Sequence, residues 1–294
     1  MPETKAINST AIDLVDESFD PKKNGTYHLS ILWAAKTVAY AILDTQTNKY
    51  LALHYSADNN RDILVPFSTE GLTSLFKSVS CAIAHNKFTL IPSALFDEEN
   101  KESLLRFTHP VGKDEKIHSD KLQNLDARNL FTISKSSELL IREKFPNVHF
   151  MHSATSFIES LLIRNKNNTG KKVFANFNTP LSSGGGVGGE AGYFEIAIFD
   201  GRELLFSNAF KYKTSEDIAY YILFVYEQLG LNPEEIELVL SGAIEKTAKE
   251  HSLLYNYIRN VKFATRPDSF NYSYKFDEVP SHNFWSLFTQ YLCV

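Results

Sequence analysis

The chain writes nearly the same pattern twice. Ala41-Ile42-Leu43-Asp44 closes one apolar run, and Ala197-Ile198-Phe199-Asp200 closes another. Around the first, Tyr27 to Leu32, Val38 to Leu43 and Tyr50 to Tyr55 read as three strands joined by short polar turns. Around the second, Val173 to Phe177, Tyr193 to Phe199 and Leu204 to Phe210 read the same way. In each half a Ser/Thr-capped helix, a further buried strand and a small-residue turn follow. A repeated βββαβ order predicts an α/β body of two lobes with a cleft between them. At 294 residues the chain suits two domains of about 150 residues better than one core.

The expected organisation is an N-terminal arm over 1–26, a first lobe over 27–166, a linker over 167–172 and a second lobe over 173–294. Ser68 or Thr69 is expected to cap a helix bearing Leu72, Leu75, Phe76 and Val79, with Cys81 in the same apolar helical stretch. Phe88 to Ile91 reads as a strand, with a helix after it through Leu104 and Leu105. Thr108 to Asp126, polar and carrying Pro110 and Gly112, reads as a surface excursion. Asn129 to Ile133 and Val148 to Met151 read as strands. Ser134 or Ser136 caps the helix of Leu139 to Ile141, which stops before Pro146. Thr214 or Ser215 caps a helix that Gly230 ends. Leu238 to Leu240 is a strand closed by Ser241-Gly242-Ala243, and Phe284 to Phe288 is a helical closing segment.

A net charge of -5 excludes a general nucleic-acid binder, which needs a basic face. Two cysteines, Cys81 and Cys293, cannot make a zinc site and suit a reducing compartment. The N-terminal residues lack the apolar core of a signal peptide, and no stretch reaches the roughly 20 apolar residues of a membrane span. The expectation is a cytoplasmic protein with no transmembrane segment.

Two βββα-rich halves resemble the actin, Hsp70 and sugar-kinase fold. Tyr193 to Thr214, with Glu216 to Phe224, Leu238-Val239-Leu240-Ser241-Gly242 and Asn147 to Ser153, is similar to a Bacteroidetes family of proteins of unknown function, the domain-of-unknown-function 3822 family. That resemblance implies a duplicated actin-like (ribonuclease H-like) fold, with a mixed βββαβα-type sheet in each lobe, and assigns no activity. Actin-like ATPases place two acid-bearing phosphate loops and a nucleoside turn in their cleft, and each can be sought here. The first turn, Trp33-Ala34-Ala35-Lys36-Thr37, holds neither glycine nor acid, so only Lys36 suits an anion. The second position holds Asn176-Phe177-Asn178. It is followed by the insert Thr179 to Gly192, whose six glycines, Gly192 included, join two strands and are expected to be poorly restrained. The third is Ser241-Gly242-Ala243. Lys36, Asn176, Asn178 and Gly242 are therefore the candidate residues of a residual nucleotide cleft.

No catalytic residue and no metal ligand stands out. Asp44 and Asp200 lie at hairpin turns and read as turn residues. His149 and His152 lack a carboxylate or cysteine at ligand spacing, and no nucleophile-elbow motif is present. Losing both metal-organising acids removes much of the positioning and charge that phosphoryl transfer depends on. The expected function is that of a non-catalytic binding or scaffold protein without cofactor, acting with a protein partner as actin-like pilus and division assembly factors do. The alternatives are an ATPase or kinase using ATP with magnesium in the interlobe cleft, or a small-molecule sensor.

Overall fold

The computed structural model describes residues 11–57, 76–178 and 192–294. The chain divides into two compact units. The larger takes Ser9–Ser160, Pro267–Glu278 and Ser286–Val294, and the smaller takes Leu161–Arg266 and Val279–Trp285. Residues 68–75 of the predicted helix and the glycine segment 179–191 lie outside the described residues.

In the larger unit a mixed sheet is built from β1 (Ala11–Val15), β2 (Tyr27–Ala34), β3 (Val38–Asp44), β4 (Lys49–Ser56), β5 (Ser78–Ala84) and β9 (His149–His152). Their order is β1-β4-β3-β2-β5-β9, and the short β15 (Asn271–Tyr272) also pairs with β4. A second sheet of order β6-β8-β7 is formed by β6 (Phe88–Pro92), β7 (Glu115–Lys121) and β8 (Ala127–Ser134), with α1 (Lys101–Thr108) and α2 (Lys135–Lys144) in the same segment. Helix α3 (Ser153–Arg164) follows β9.

The smaller unit carries β10 (Lys171–Phe177), β11 (Gly192–Asp200), β12 (Glu203–Tyr212), α4 (Ser215–Gln228), β13 (Glu237–Gly242), α5 (Lys249–Tyr257) and β14 (Val261–Phe263), in the order β12-β11-β10-β13-β14. This repeats β4-β3-β2-β5-β9 strand for strand. In both sheets the first three strands in sequence pair antiparallel and the next two parallel. The duplication extends to a defect. Register slips by one residue between Ile42 and Leu43 against β4, and between Ile198 and Phe199 against β12. These are matching positions of the two motifs read from the sequence. The hairpin closures also match, with Ala34 N–H donating to Thr37 O at 3.0 Å and Asn178 N–H to Tyr193 O at 3.3 Å.

On one face of the smaller sheet, Val173, Ala175, Phe194, Ile196, Leu238 and Leu240 pack with Ile218, Ile222 and Val225 of α4 and Leu254 of α5. Burying such side chains stabilises by roughly 1.5–3 kcal/mol each. Thr214 caps α4 in a capping box: its hydroxyl accepts the Asp217 N–H at 3.1 Å, and the Asp217 carboxylate accepts the Thr214 N–H at 3.0 Å. Thr214→Ala is expected to lower stability by about 1 kcal/mol, seen as a lower urea midpoint at unchanged slope.

Three segments differ from the sequence reading. Residues 11–15 of the expected arm form β1, because the alternation of Ile12 and Leu14 buries both against β4. Val79 and Cys81 lie in strand β5 rather than a helix. That strand sits between β2 and β9 with Cys81, Ala82, Ile83 and Ala84 buried, and a short run buried on both faces carries no period that separates strand from helix. Within Thr108 to Asp126, β7 pairs with β8, its polar residues serving a half-exposed strand. The closing segment is helical as expected, forming the short α6 (Trp285–Phe288), and beyond it Gln290 reaches the first sheet: its Nε2 donates to Ile31 O at 2.9 Å. Among the described residues no helix is long and apolar enough to cross a membrane.

Candidate functional site

The smaller sheet's opposite face carries an unusual row. Glu195 of β11 stands opposite Asn176 of β10, which stands opposite Ser241 of β13. The three are 1%, 2% and 3% exposed. Ser241 Oγ donates to Asn176 Oδ1 at 3.0 Å, and Asn176 Nδ2 donates to Glu195 Oε2 at 3.1 Å. The same amide makes a longer contact with Asn178 Oδ1 at 3.3 Å. A carboxylate can only accept and a serine hydroxyl can donate, so the two neighbours fix the orientation of the Asn176 amide.

The duplication supplies an internal control. In the larger unit the corresponding positions, by the same pairings, are Ala39, Leu32 and Ala82. An apolar trio satisfies the sheet there. Burying a carboxylate, an amide and a hydroxyl costs free energy unless each is hydrogen-bonded, so the polar row is not something this fold requires. Glu195 is the residue the sequence reading passed over. Its signal was a single charge inside an otherwise apolar strand.

Gly242 stands next in the row's strand, with φ +81°, a left-handed conformation that suits glycine. A Cβ there would lie 2.2 Å from the Phe177 carbonyl oxygen. The turn's N–H groups are bound within the unit: Gly242 N–H donates to His282 O and Ala243 N–H to Phe177 O, both at 2.8 Å. His282 is held in turn by its Nε2–H, which donates to Ile244 O at 2.6 Å, and burial keeps its imidazole below the ordinary pKa. Asn176, Asn178 and Gly242 are therefore neighbours at one end of this sheet. Lys36 belongs to the other unit, half-buried in the turn between β2 and β3.

Asp44 is a turn residue: its carboxylate accepts Gln46 N–H at 3.0 Å and the Thr47 hydroxyl at 2.9 Å. His152 is a core residue. Its Nε2–H donates to His85 O and its Nδ1 accepts Ala154 N–H, both at 3.0 Å, which leaves neither nitrogen for a metal. Among the described residues no group of three or more His, Cys, Asp or Glu side chains is placed to hold a metal ion.

Comparison with solved structures agrees with this architecture. A Bacteroides thetaiotaomicron protein with an actin-like ATPase fold and unknown function superposes with TM-score 0.73 at 24% identity, covering 88% of this chain and 97% of that one. The PilM-PilN type IV pilus biogenesis complex gives TM-score 0.54 at 10% identity, over 91% and 98%. Both likenesses are likenesses of fold. A comparison with curated proteins finds no match. The family model "Protein of unknown function (DUF3822)" matches residues 16–261, and with that span this chain belongs to the family, on an actin-like ATPase fold.

Proposed function

We propose that this chain is a non-catalytic binding or scaffold protein of the cytoplasm, working with a protein partner and without a cofactor. The observation that carries the reading is the self-satisfaction of the end of the smaller sheet. Asn176 spends its amide on Glu195 and Ser241, and the Gly242 and Ala243 N–H groups are bound by His282 and Phe177. Backbone N–H groups that cradle a phosphate must be unpaired and aimed at it. The turn at Lys36 adds no acid to organise magnesium. The pilus biogenesis complex that shares this fold is an assembly, and that analogy suggests the scaffold role.

One observation favours the enzyme reading instead. Glu195 places a carboxyl beside Asn176 and Asn178, where the sequence alone offered only amides. A carboxylate there could orient a magnesium-bound water. Calorimetry with Mg-ATP divides the readings. The expected result is no affinity tighter than about 100 μM, roughly -5.5 kcal/mol, with phosphate release at background. Hydrolysis that disappears in Glu195→Gln and in Lys36→Ala would overturn the proposal.

A further inference from the structure

The smaller sheet ends on β12, and among the described residues no strand pairs with its outer edge. The corresponding edge of the duplicate is occupied. There β1 runs antiparallel to β4, from Ala11 opposite Ser56 to Val15 opposite Ala52. The shared bulge sets the correspondence: Ala52 faces Ile42 and Phe206 faces Ile198, so residues 52–56 of β4 match 206–210 of β12. Among the described residues, one half of the molecule thus shows an added strand at a place where the other half shows none.

The open edge has its own chemistry. Ala209 N–H turns away from β11 and is held at 2.8 Å by Asn208 Oδ1, a local cover for an edge donor. Antiparallel alternation gives Ser207 and Lys211 the same outward backbone orientation. Beside the edge, Phe210 stacks on Tyr221 of α4 with centroids 4.9 Å apart, Tyr221 meets Tyr220 edge-on at 5.3 Å, and Tyr220 stacks on Phe224 at 6.1 Å. Tyr220 is 62% and Phe224 41% exposed. A run of rings that reaches solvent beside an edge on which no described strand pairs suits a ligand with both a ladder and apolar side chains. At the end of the strand Lys211 is exposed, and Lys213, just past it, has the Asp217 carboxylate beside it, so Lys211 is the cation on the strand itself.

We propose that β12, from Phe206 to Lys211, accepts an extended segment of a partner protein as an added antiparallel strand. The segment carries apolar side chains opposite Phe206 and Phe210, where they extend the aromatic run, and an acidic side chain opposite Lys211. Main-chain hydrogen bonds hold it, and the Glu–Lys pairing sets its register. This surface deepens the binding reading above, but its test involves no nucleotide, so either can fail alone.

The test uses the full chain and a short fluorescent peptide with glutamate opposite Lys211, valines opposite Phe210 and Phe206, and threonines between. Binding tighter than about 100 μM is expected by fluorescence polarisation. A peptide N-methylated at its ladder amides should bind at least about tenfold more weakly, since it cannot donate. Amide exchange at Ser207, Ala209 and Lys211 should slow on binding. Lys211→Glu, at an exposed position, should weaken the peptide about tenfold, and a peptide with lysine replacing its glutamate should restore it. Absence of binding, equal binding of the N-methylated peptide, or unchanged exchange at those amides would overturn the proposal. Concentration-dependent pairing of the chain with itself through β12 would also overturn it, because the occupant would then be a second copy.

Discussion

Gly242→Ala should destabilise the protein by roughly 3–5 kcal/mol. Two costs add. At φ +81° a side chain is in the left-handed region, worth about 1–2 kcal/mol. Beyond that, the new Cβ would fall 2.2 Å from Phe177 O and 2.9 Å from Phe177 N, both backbone atoms of a central strand. The strand cannot step aside cheaply, because Ala243 N–H is bound to the same carbonyl and Gly242 N–H to His282 O. The measurement is urea unfolding, where the midpoint should drop sharply. A loss under about 1 kcal/mol would mean that the turn relaxes and that Gly242 is not a packing glycine. Activity lost on substituting Gly242 would consequently say little about nucleotide binding; Glu195→Gln and Lys36→Ala are the informative variants.

Acid should unfold this protein through buried histidines. His28 is fully buried, and its hydrogen bonds define its state. Ser80 Oγ donates to Gln290 Oε1 at 2.7 Å, so it must accept from His28 Nε2–H at 3.0 Å, and Nδ1 then accepts from Ser78 Oγ at 2.8 Å. Burial, with His149 nearby, pushes its pKa down from 6.5 to about 3. The unfolded chain therefore takes up a proton near pH 6.5 that the folded chain refuses until about 3. Stability from this group is complete above pH 6.5 and falls as pH falls through that window, by about 1.4 kcal/mol per unit and roughly 4–5 kcal/mol in all. His85 and His152 are lowered by burial too and act in the same direction.

Asp120 opposes them. Buried and accepting from His152 N–H at 2.8 Å and Thr155 Oγ1 at 2.6 Å, it is pushed up to about 7 by desolvation. The folded state binds its proton first, so this contribution grows as pH falls from about 7 toward 4 and has nothing further to add below that. Three imidazoles outweigh one carboxyl over the shared window. Urea unfolding at several pH values should give falling stability below pH 6.5 and a steep loss below 4. His28→Asn should lower stability at neutral pH and flatten the pH slope by about one proton. Stability that rises toward pH 4 would sink this account.

The sequence made some features legible because their cause is local. The α4 boundary followed from Thr214 with Asp217 three residues on, a pairing that needs only the first turn of its own helix. The duplicated meander followed from apolar alternation and short polar turns, which set strands and hairpins without distant partners. The matched Ile-Leu and Ile-Phe steps even fell on the paired bulges.

Where the partner was distant, reading failed. Strand β5 looks helical until β2 and β9 flank it, since a run buried on both faces loses its period. Strand β7 looks like a polar loop until β8 supplies its hydrogen bonds. The tail's return to the first sheet through Gln290 and Ile31 has no local signature at all. Glu195 and Asn176 lie nineteen positions apart across the glycine segment, and Ser241 lies 65 positions beyond Asn176. Each is ordinary on its own strand. Sequence alone determined the repeated strand grammar, because alternation and turns are properties of neighbours along the chain. Only the tertiary structure decided that one copy of the sheet carries a buried acid–amide–hydroxyl row where the other carries Ala39, Leu32 and Ala82, because register across three strands is a property of neighbours in space.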